Sequence, residues 1–225
     1  MTNETKYWYL KNHQLFDELS RNAINEICYL SHFRSHRKGD IINLSQDENR
    51  VYTLKVGILK VVELDEEGNE QLIEILRPDD LFGQFTLTPA ESNQYAVVLS
   101  DYVTFCSFLV SDFERVIQQN PTLGIRFTKL VGLRLRKVEN RYINLMYKDV
   151  RTRFRLFLKE WVEKDAKPGQ PYVLNNYLTH KDISRMICSN RQVVSELFSE
   201  YRQAGMLAYN RNQIIITNPA LLDVA

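Results

Sequence analysis

The chain has only three cysteines in 225 residues, at positions 28, 106 and 188. They are odd in number, far apart, and form neither a CxxC pair nor a cluster with metal-ligand spacing. That excludes a disulfide framework and a structural zinc, and points to a reducing compartment. Long apolar runs are missing too. The longest, over 102–110, falls far short of the roughly 20 residues that a membrane-spanning helix needs. The opening Met1-Thr2-Asn3-Glu4-Thr5-Lys6 lacks a basic-then-apolar pattern, so no signal peptide is expected and the chain reads as cytoplasmic. There is also no glycine-rich phosphate loop, nucleophile–base pair or metal cluster, so nothing supports an enzyme.

What is present is a folded, globular composition, 44% hydrophobic and 25% charged, in a length suited to two domains. The near absence of net charge, +1, hides an asymmetry. Residues 1–115 hold 11 Lys/Arg against 19 Asp/Glu, residues 116–155 hold 10 against 2, and residues 156–225 hold 8 against 7. A basic block of this kind is either a solvated helix face or a surface that meets phosphate.

Three segments follow. Up to about residue 112 the chain alternates short β-branched and aromatic runs (40–42, 51–54, 58–64, 71–76 and 95–110) with turn residues, the rhythm of an all-β sandwich or barrel. Asp65-Glu66-Glu67-Gly68-Asn69 reads as a hairpin turn with Gly68 at positive φ. Ahead of the strands, Leu15, Phe16, Leu19, Ile24 and Ile27 have helical spacing and are expected to cover one end of the β domain. In the second segment Leu123, Phe127, Val131, Leu135, Val138, Tyr142 and Leu145 recur at steps of three and four. They form one stripe of a long helix, which either packs on its own domains or joins a second copy as a coiled coil. The coiled coil is the simpler answer. The dimer seam is then Phe127, Val131, Leu135, Val138 and Tyr142.

The third segment starts at Asp149, a candidate N-cap, and is expected to be helical over 150–164. Thr179, three residues before Asp182, marks a capping box at the start of a short helix. A break at Cys188-Ser189-Asn190, a second helix over 191–204, a stop at Gly205 and a hairpin over 206–217 complete a winged helix-turn-helix. Ser184 supplies the small residue where two such helices meet. Cys188 stands where the turn usually has glycine, and Ile183, Ile187, Val194 and Leu197 fix the crossing. The second helix of such a unit puts its N-terminal residues over base edges in the major groove. Arg191, Gln192 and Ser195 are the candidate readers, since Arg suits guanine and Gln suits adenine. Thr179, Lys181, Asn190 and Arg211 are the candidate phosphate contacts. The competing reading is an ordinary helical hairpin with solvated Arg and Gln.

Nearly the whole chain resembles the CRP/FNR family of bacterial transcription regulators. The β-roll stretches are Lys38-Gly39-Asp40-Ile41-Ile42, Val56-Gly57, Asp65-Glu66-Glu67-Gly68 and Asp80-Leu81-Phe82-Gly83. The C-terminal stretches are Arg153-Phe154 with Leu156 and Leu158, Leu178-Thr179, Arg191-Gln192-Val193-Val194-Ser195 and Gly205-Met206-Leu207. The resemblance implies an α+β chain in three parts. These are an N-terminal antiparallel, cyclic-nucleotide-binding-like β-roll (1–115), a dimerisation helix (116–147) and a C-terminal winged helix-turn-helix (148–225).

The departures bear on the signal. Where cyclic-AMP binders of this family have Gly-Glu for the ribose and Arg-Ser or Arg-Thr for the phosphate, this chain has Gly83-Gln84 and Gln94-Tyr95. Val138 and Glu139 stand where small hydroxyl residues would reach the purine. Without the arginine the bidentate phosphate contact is lost, so cyclic AMP is not the expected effector. Three scattered cysteines cannot supply the four-cysteine set of the iron–sulfur branch. His13, His32, His36 and His180 are expected at the surface rather than on a haem. The family often has Glu and Arg where Gln192 and Glu196 stand, so the operator sequence is left open.

The expected function is therefore a sequence-specific, homodimeric, DNA-binding transcription regulator acting on a pseudo-palindromic operator, with RNA polymerase as a further partner where it activates. The alternative is a ligand-binding signalling module whose C-terminal domain contacts protein. Salt-dependent duplex binding separates the two.

Overall fold

The computed structural model describes residues 3–44, 50–83, 93–166 and 171–224. Its contacts divide the chain into two compact units, Met1–Arg136 and Lys137–Ala225. The strand-like runs of the first unit form β1 (His32–Arg37), β2 (Ile41–Asn43), β3 (Arg50–Val56), β4 (Leu59–Leu64), β5 (Glu70–Leu76), β6 (Leu81–Gly83), β7 (Gln94–Val98) and β8 (Tyr102–Leu109). Two four-stranded antiparallel sheets result, in the orders β1-β8-β3-β6 and β2-β7-β4-β5.

Their shared core holds Tyr52, Leu54, Leu59, Val61, Phe82, Ala96, Val98 and Phe105. The Tyr52 and Phe82 rings stack at 5.0 Å, and Phe105 meets both edge-on. The β4–β5 turn forms as expected. Asp65 Oδ1 accepts from the Glu67 and Asn69 amides, and Gly68 sits at φ +79°.

Val51–Leu54 and Phe105–Phe108 are buried residue after residue, without the alternation of a one-sided strand. A helical layer covers the outer face of their sheet, so both faces are dry. That layer is α1 (Asn3–Asn12), α2 (Arg21–Leu30) and α3 (Val110–Gln119). Leu10, Leu15, Phe16, Ile24 and Ile27 pack there with Val51, Cys106, Phe108, Phe113 and Leu123. The expected helix through 15–27 is thereby corrected. Leu15, Phe16 and Leu19 lie in a turn and only Ile24 and Ile27 lie on α2, although all five are buried. The run 95–110 is likewise two strands, broken at Leu99-Ser100-Asp101.

A buried polar chain ties the layer to the roll. His13 is 1% exposed, which corrects its expected surface position. Its Nδ1 accepts from the Leu15 amide at 3.1 Å, its Nε2 lies 2.8 Å from Thr53 Oγ1, and Tyr9 Oη lies 3.0 Å from the same oxygen. Burial holds the His13 pKa below its ordinary value against the pull of Asp79. It also pushes the Cys106 thiol up to about 12 and that of Cys28 upward, so both behave as small core hydrophobes.

The long helix α4 (Pro121–Tyr147) starts with proline at its first position. Leu123 is buried, and the Phe127 ring packs edge-on to Phe113 at 5.5 Å, so this end of the stripe is covered within its own unit. Val131, Leu135, Val138 and Tyr142 are between 51% and 62% exposed.

The second unit adds α5 (Val150–Asp165), β9 (Tyr172–Asn175), α6 (His180–Met186), α7 (Arg191–Gln203), β10 (Leu207–Tyr209) and β11 (Gln213–Ile216), then a 3₁₀ turn at Pro219–Leu222. Asp149 caps α5, its side chain accepting from the Thr152 amide at 2.7 Å. The expected hairpin is β10–β11. It gains a third strand, β9, that the sequence reading missed. Phe154, Leu158, Trp161, Ile183, Ile187, Val194, Leu197, Phe198 and Ile214 fill the core.

Candidate nucleic-acid interface

The helix-turn-helix is fixed by short-range chemistry. Thr179 Oγ1 accepts from the Asp182 amide at 3.1 Å and donates to Asp182 Oδ2 at 2.6 Å. The same carboxylate accepts from the Thr179 amide at 3.0 Å. Both halves of the capping box are present, so the Thr179 hydroxyl already has a donor and an acceptor partner. The helices α6 and α7 are joined through Cys188, which adopts φ +50°, a conformation costly for any residue with a Cβ. This is the position where the turn usually has glycine. Arg153 holds it, donating to the carbonyls of Ile187 (2.8 Å), Cys188 (3.2 Å) and Lys148 (2.6 Å). Asn190 caps α7, its Oδ1 accepting from the Val193 amide at 2.9 Å.

On α7, Val194, Leu197, Phe198 and Tyr201 face the core. The 3.6-residue repeat then puts Gln192, Glu196, Ser199 and Gln203 along the centre of the opposite face. Arg191 and Gln192 are exposed, as are Lys181 on α6 and Arg211 in the wing turn. Ser195 lies on the flank. Its hydroxyl donates to the Arg191 carbonyl at 3.0 Å and lies 2.8 Å from His180 Nδ1. The His180 ring stacks on Phe198 at 4.8 Å and is half-buried, and burial with the nearby Arg191 holds its pKa below the ordinary value. Gln192 Nε2 donates to Glu196 Oε1 at 2.9 Å. Glu196 was absent from the candidate readers. The signal that could have found it is its i,i+4 spacing from Gln192.

Much of the basic block turns out to hold structure. Arg126 pairs with Asp17 and Glu18, Arg134 with Glu74, and Arg151 with Glu200. Arg155 donates to the carbonyls of Leu221, Ala220 and Asp223.

In the β-roll, Gly83 has φ +106°, and a Cβ there would lie 2.3 Å from the Arg50 carbonyl oxygen. The β3–β6 pairing alone therefore requires glycine. Gln84 lies outside the described residues. Gln94 shares the face of the buried Ala96 and Val98 by strand alternation. Its Nε2 donates to Glu63 Oε2 at 3.4 Å, and Tyr95 Oη donates to Glu70 Oε1 at 2.8 Å. Gln94 and Tyr95 thus each hydrogen-bond a carboxylate side chain. Val138, the remaining pocket candidate, is exposed. Among the described residues no group of metal-ligating side chains could hold a metal ion, and no helix is long and apolar enough to cross a membrane.

Residues 33–120 match the family model of the cyclic nucleotide-binding domain, and residues 153–224 match that of the Crp-like helix-turn-helix domain. The chain is 24% identical over 177 residues to a global nitrogen regulator of Synechocystis sp., covering 77% of this chain and 79% of the other. To the cAMP-activated global transcriptional regulator CRP of Salmonella typhimurium it is 22% identical over 194 residues, covering 84% and 91%. Among solved structures, FixK2 from Bradyrhizobium japonicum superposes with a TM-score of 0.74 at 19% identity, over 86% of this chain and 96% of that one, a likeness of fold. With a β-roll, a long helix and a winged helix-turn-helix in this order, and both family models matched in the same order, the chain belongs to the CRP/FNR family of transcription regulators.

Proposed function

We propose that the chain acts in the cytoplasm as a homodimeric regulator, not an enzyme, that reads a pseudo-palindromic duplex through α7 and whose β-roll answers to a signal other than cyclic AMP. The observation that carries the DNA reading is the exposed polar face of α7. Arg191 and Gln192 project from its first turn, and Lys181 and Arg211 stand exposed on the flanking helix and wing. Arg191 and Gln192 read base edges. Lys181, Arg211 and the Asn190 amide nitrogen meet phosphates, whereas the Thr179 hydroxyl holds the start of α6 and the Ser195 hydroxyl bonds the Arg191 carbonyl and lies against His180. Residues 1–115 serve as sensor, 116–147 as dimerisation helix and 148–225 as reader, with RNA polymerase as a partner at promoters the protein activates.

The pairing of Gln94 with Glu63 and of Tyr95 with Glu70 supports a signal other than cyclic AMP. The test has two arms. Selection of bound duplexes from a random pool is expected to return a two-fold motif with half-sites about 34 Å apart, one helical turn. Arg191→Ala is expected to relax one position in each half-site, at about 1–3 kcal/mol per contact. An unchanged motif and affinity would remove Arg191 from the readout. In the second arm, calorimetry is expected to show no saturable heat with cyclic AMP, and micromolar binding would overturn that part of the reading.

A further inference from the structure

Glu196 places a carboxylate at the centre of the very face that is to meet DNA, where phosphates repel it. Its partner gives that charge a use. Gln192 Nε2 donates to Glu196 Oε1 at 2.9 Å across one helical turn. The opposite amide orientation would set Gln192 Oε1 against a carboxylate oxygen, acceptor against acceptor. The carboxylate therefore fixes which way the amide points. One N–H is held by Glu196, and the second N–H and Oε1 are left to face outward. That outward pair, one donor beside one acceptor, complements adenine, whose N7 accepts and whose N6 amino group donates. It does not complement guanine, where N7 and O6 both accept.

We propose that Glu196 is a positioning residue for base recognition, locking Gln192 in the orientation that selects adenine over guanine at one position of each half-site. The inference rests on α7 being the base reader. Glu196 acts through Gln192, so its effect must vanish when Gln192 is removed.

The experiment measures affinities of the full-length chain for four duplexes differing only at that base pair, for the natural protein, Glu196→Ala, Gln192→Ala and the double variant. Both side chains are exposed, and circular dichroism with a melting curve checks that each variant folds. Natural protein is expected to prefer adenine. Glu196→Ala should lower the adenine-over-guanine ratio by roughly fivefold or more, the lower range for one bidentate contact, while affinity for unrelated duplex holds or rises as the carboxylate is lost. Gln192→Ala should abolish the ratio, and Glu196→Ala should change it no further in that background. An adenine preference that survives Glu196→Ala, or a further change in the double variant, overturns the proposal. If Arg191→Ala still relaxes its own position in that case, the DNA-reading assignment stands and only the role of Glu196 fails. If the natural protein selects no motif, both fail.

Discussion

The guanidinium of Arg153 donates to the carbonyl oxygen of Cys188 from 3.2 Å, linking the start of α5 to the one left-handed residue in the turn between α6 and α7. Three main-chain carbonyls depend on this side chain. Arg153→Ala should destabilise the second unit by about 2–3 kcal/mol, as expected for charge-assisted bonds at a half-buried site. Cys188→Gly should have the opposite sign, gaining up to about 1 kcal/mol because glycine tolerates φ +50°. Urea unfolding followed by the fluorescence of buried Trp161 checks both. Equal midpoints for the natural protein and Arg153→Ala would show that the turn holds itself.

His13 gives the first unit a pH dependence whose sign is fixed. Its folded pKa lies below the ordinary value of 6.5, chiefly through burial. Moreover, Nδ1 must stay unprotonated to accept from Leu15. As pH falls through 6.5 the unfolded chain takes up a proton that the folded chain refuses. Stability is then complete above about pH 6.5 and declines below it by at most about 1.4 kcal/mol per pH unit, until the folded pKa is reached. Unfolding midpoints between pH 8 and pH 5 should show this decline in natural protein and a shallower one in His13→Gln. Parallel curves would contradict the assignment.

The exposed stripe on α4 carries the dimer prediction. Val131, Leu135, Val138 and Tyr142 lie open in the single chain, whereas Phe127 is already packed against Phe113. Leu135→Glu with Val138→Glu would bury unpaired charge at a two-helix seam, and should give monomers by light scattering. Phe127→Ala should instead cost stability, about 3 kcal/mol as for a truncated aromatic at a packed site. Dimer mass unchanged in the Leu135→Glu, Val138→Glu protein would place the seam elsewhere.

What the sequence made legible was local. The Thr179–Asp182 capping box, the Asp149 cap, the Gly68 turn and the special turn position of Cys188 each depend on residues within a few places of one another. What it hid was long-range. β9 is four residues long and pairs with β11 some 40 positions later, so no periodicity announces it. The acidic partners of Arg126, Arg134 and Arg151 lie far away in sequence, so a basic block that read either as a solvated face or as a phosphate surface gave no sign that several of its arginines are ion-paired. His13 looked like an exposed polar residue because its partner Thr53 lies on a strand 40 residues on. On the exposed face of α7, Arg191 and Gln192 could be named from their place after the turn. The spacing of Glu196 from Gln192 allows a contact across one helical turn, and the side-chain geometry shows which amide atom makes it.

The measurement closest to the central claim is the salt dependence of binding to the selected duplex. Each phosphate contact releases condensed counterions, so log affinity should fall linearly with log salt at a slope of about −0.9 per phosphate neutralised. For a symmetric dimer, Lys181→Ala should reduce the steepness by about 2, one contact per subunit, while weakening all duplexes alike. A flat plot, with the same weak affinity for selected and unrelated duplexes, would contradict the account and place a protein partner, not DNA, on the C-terminal unit.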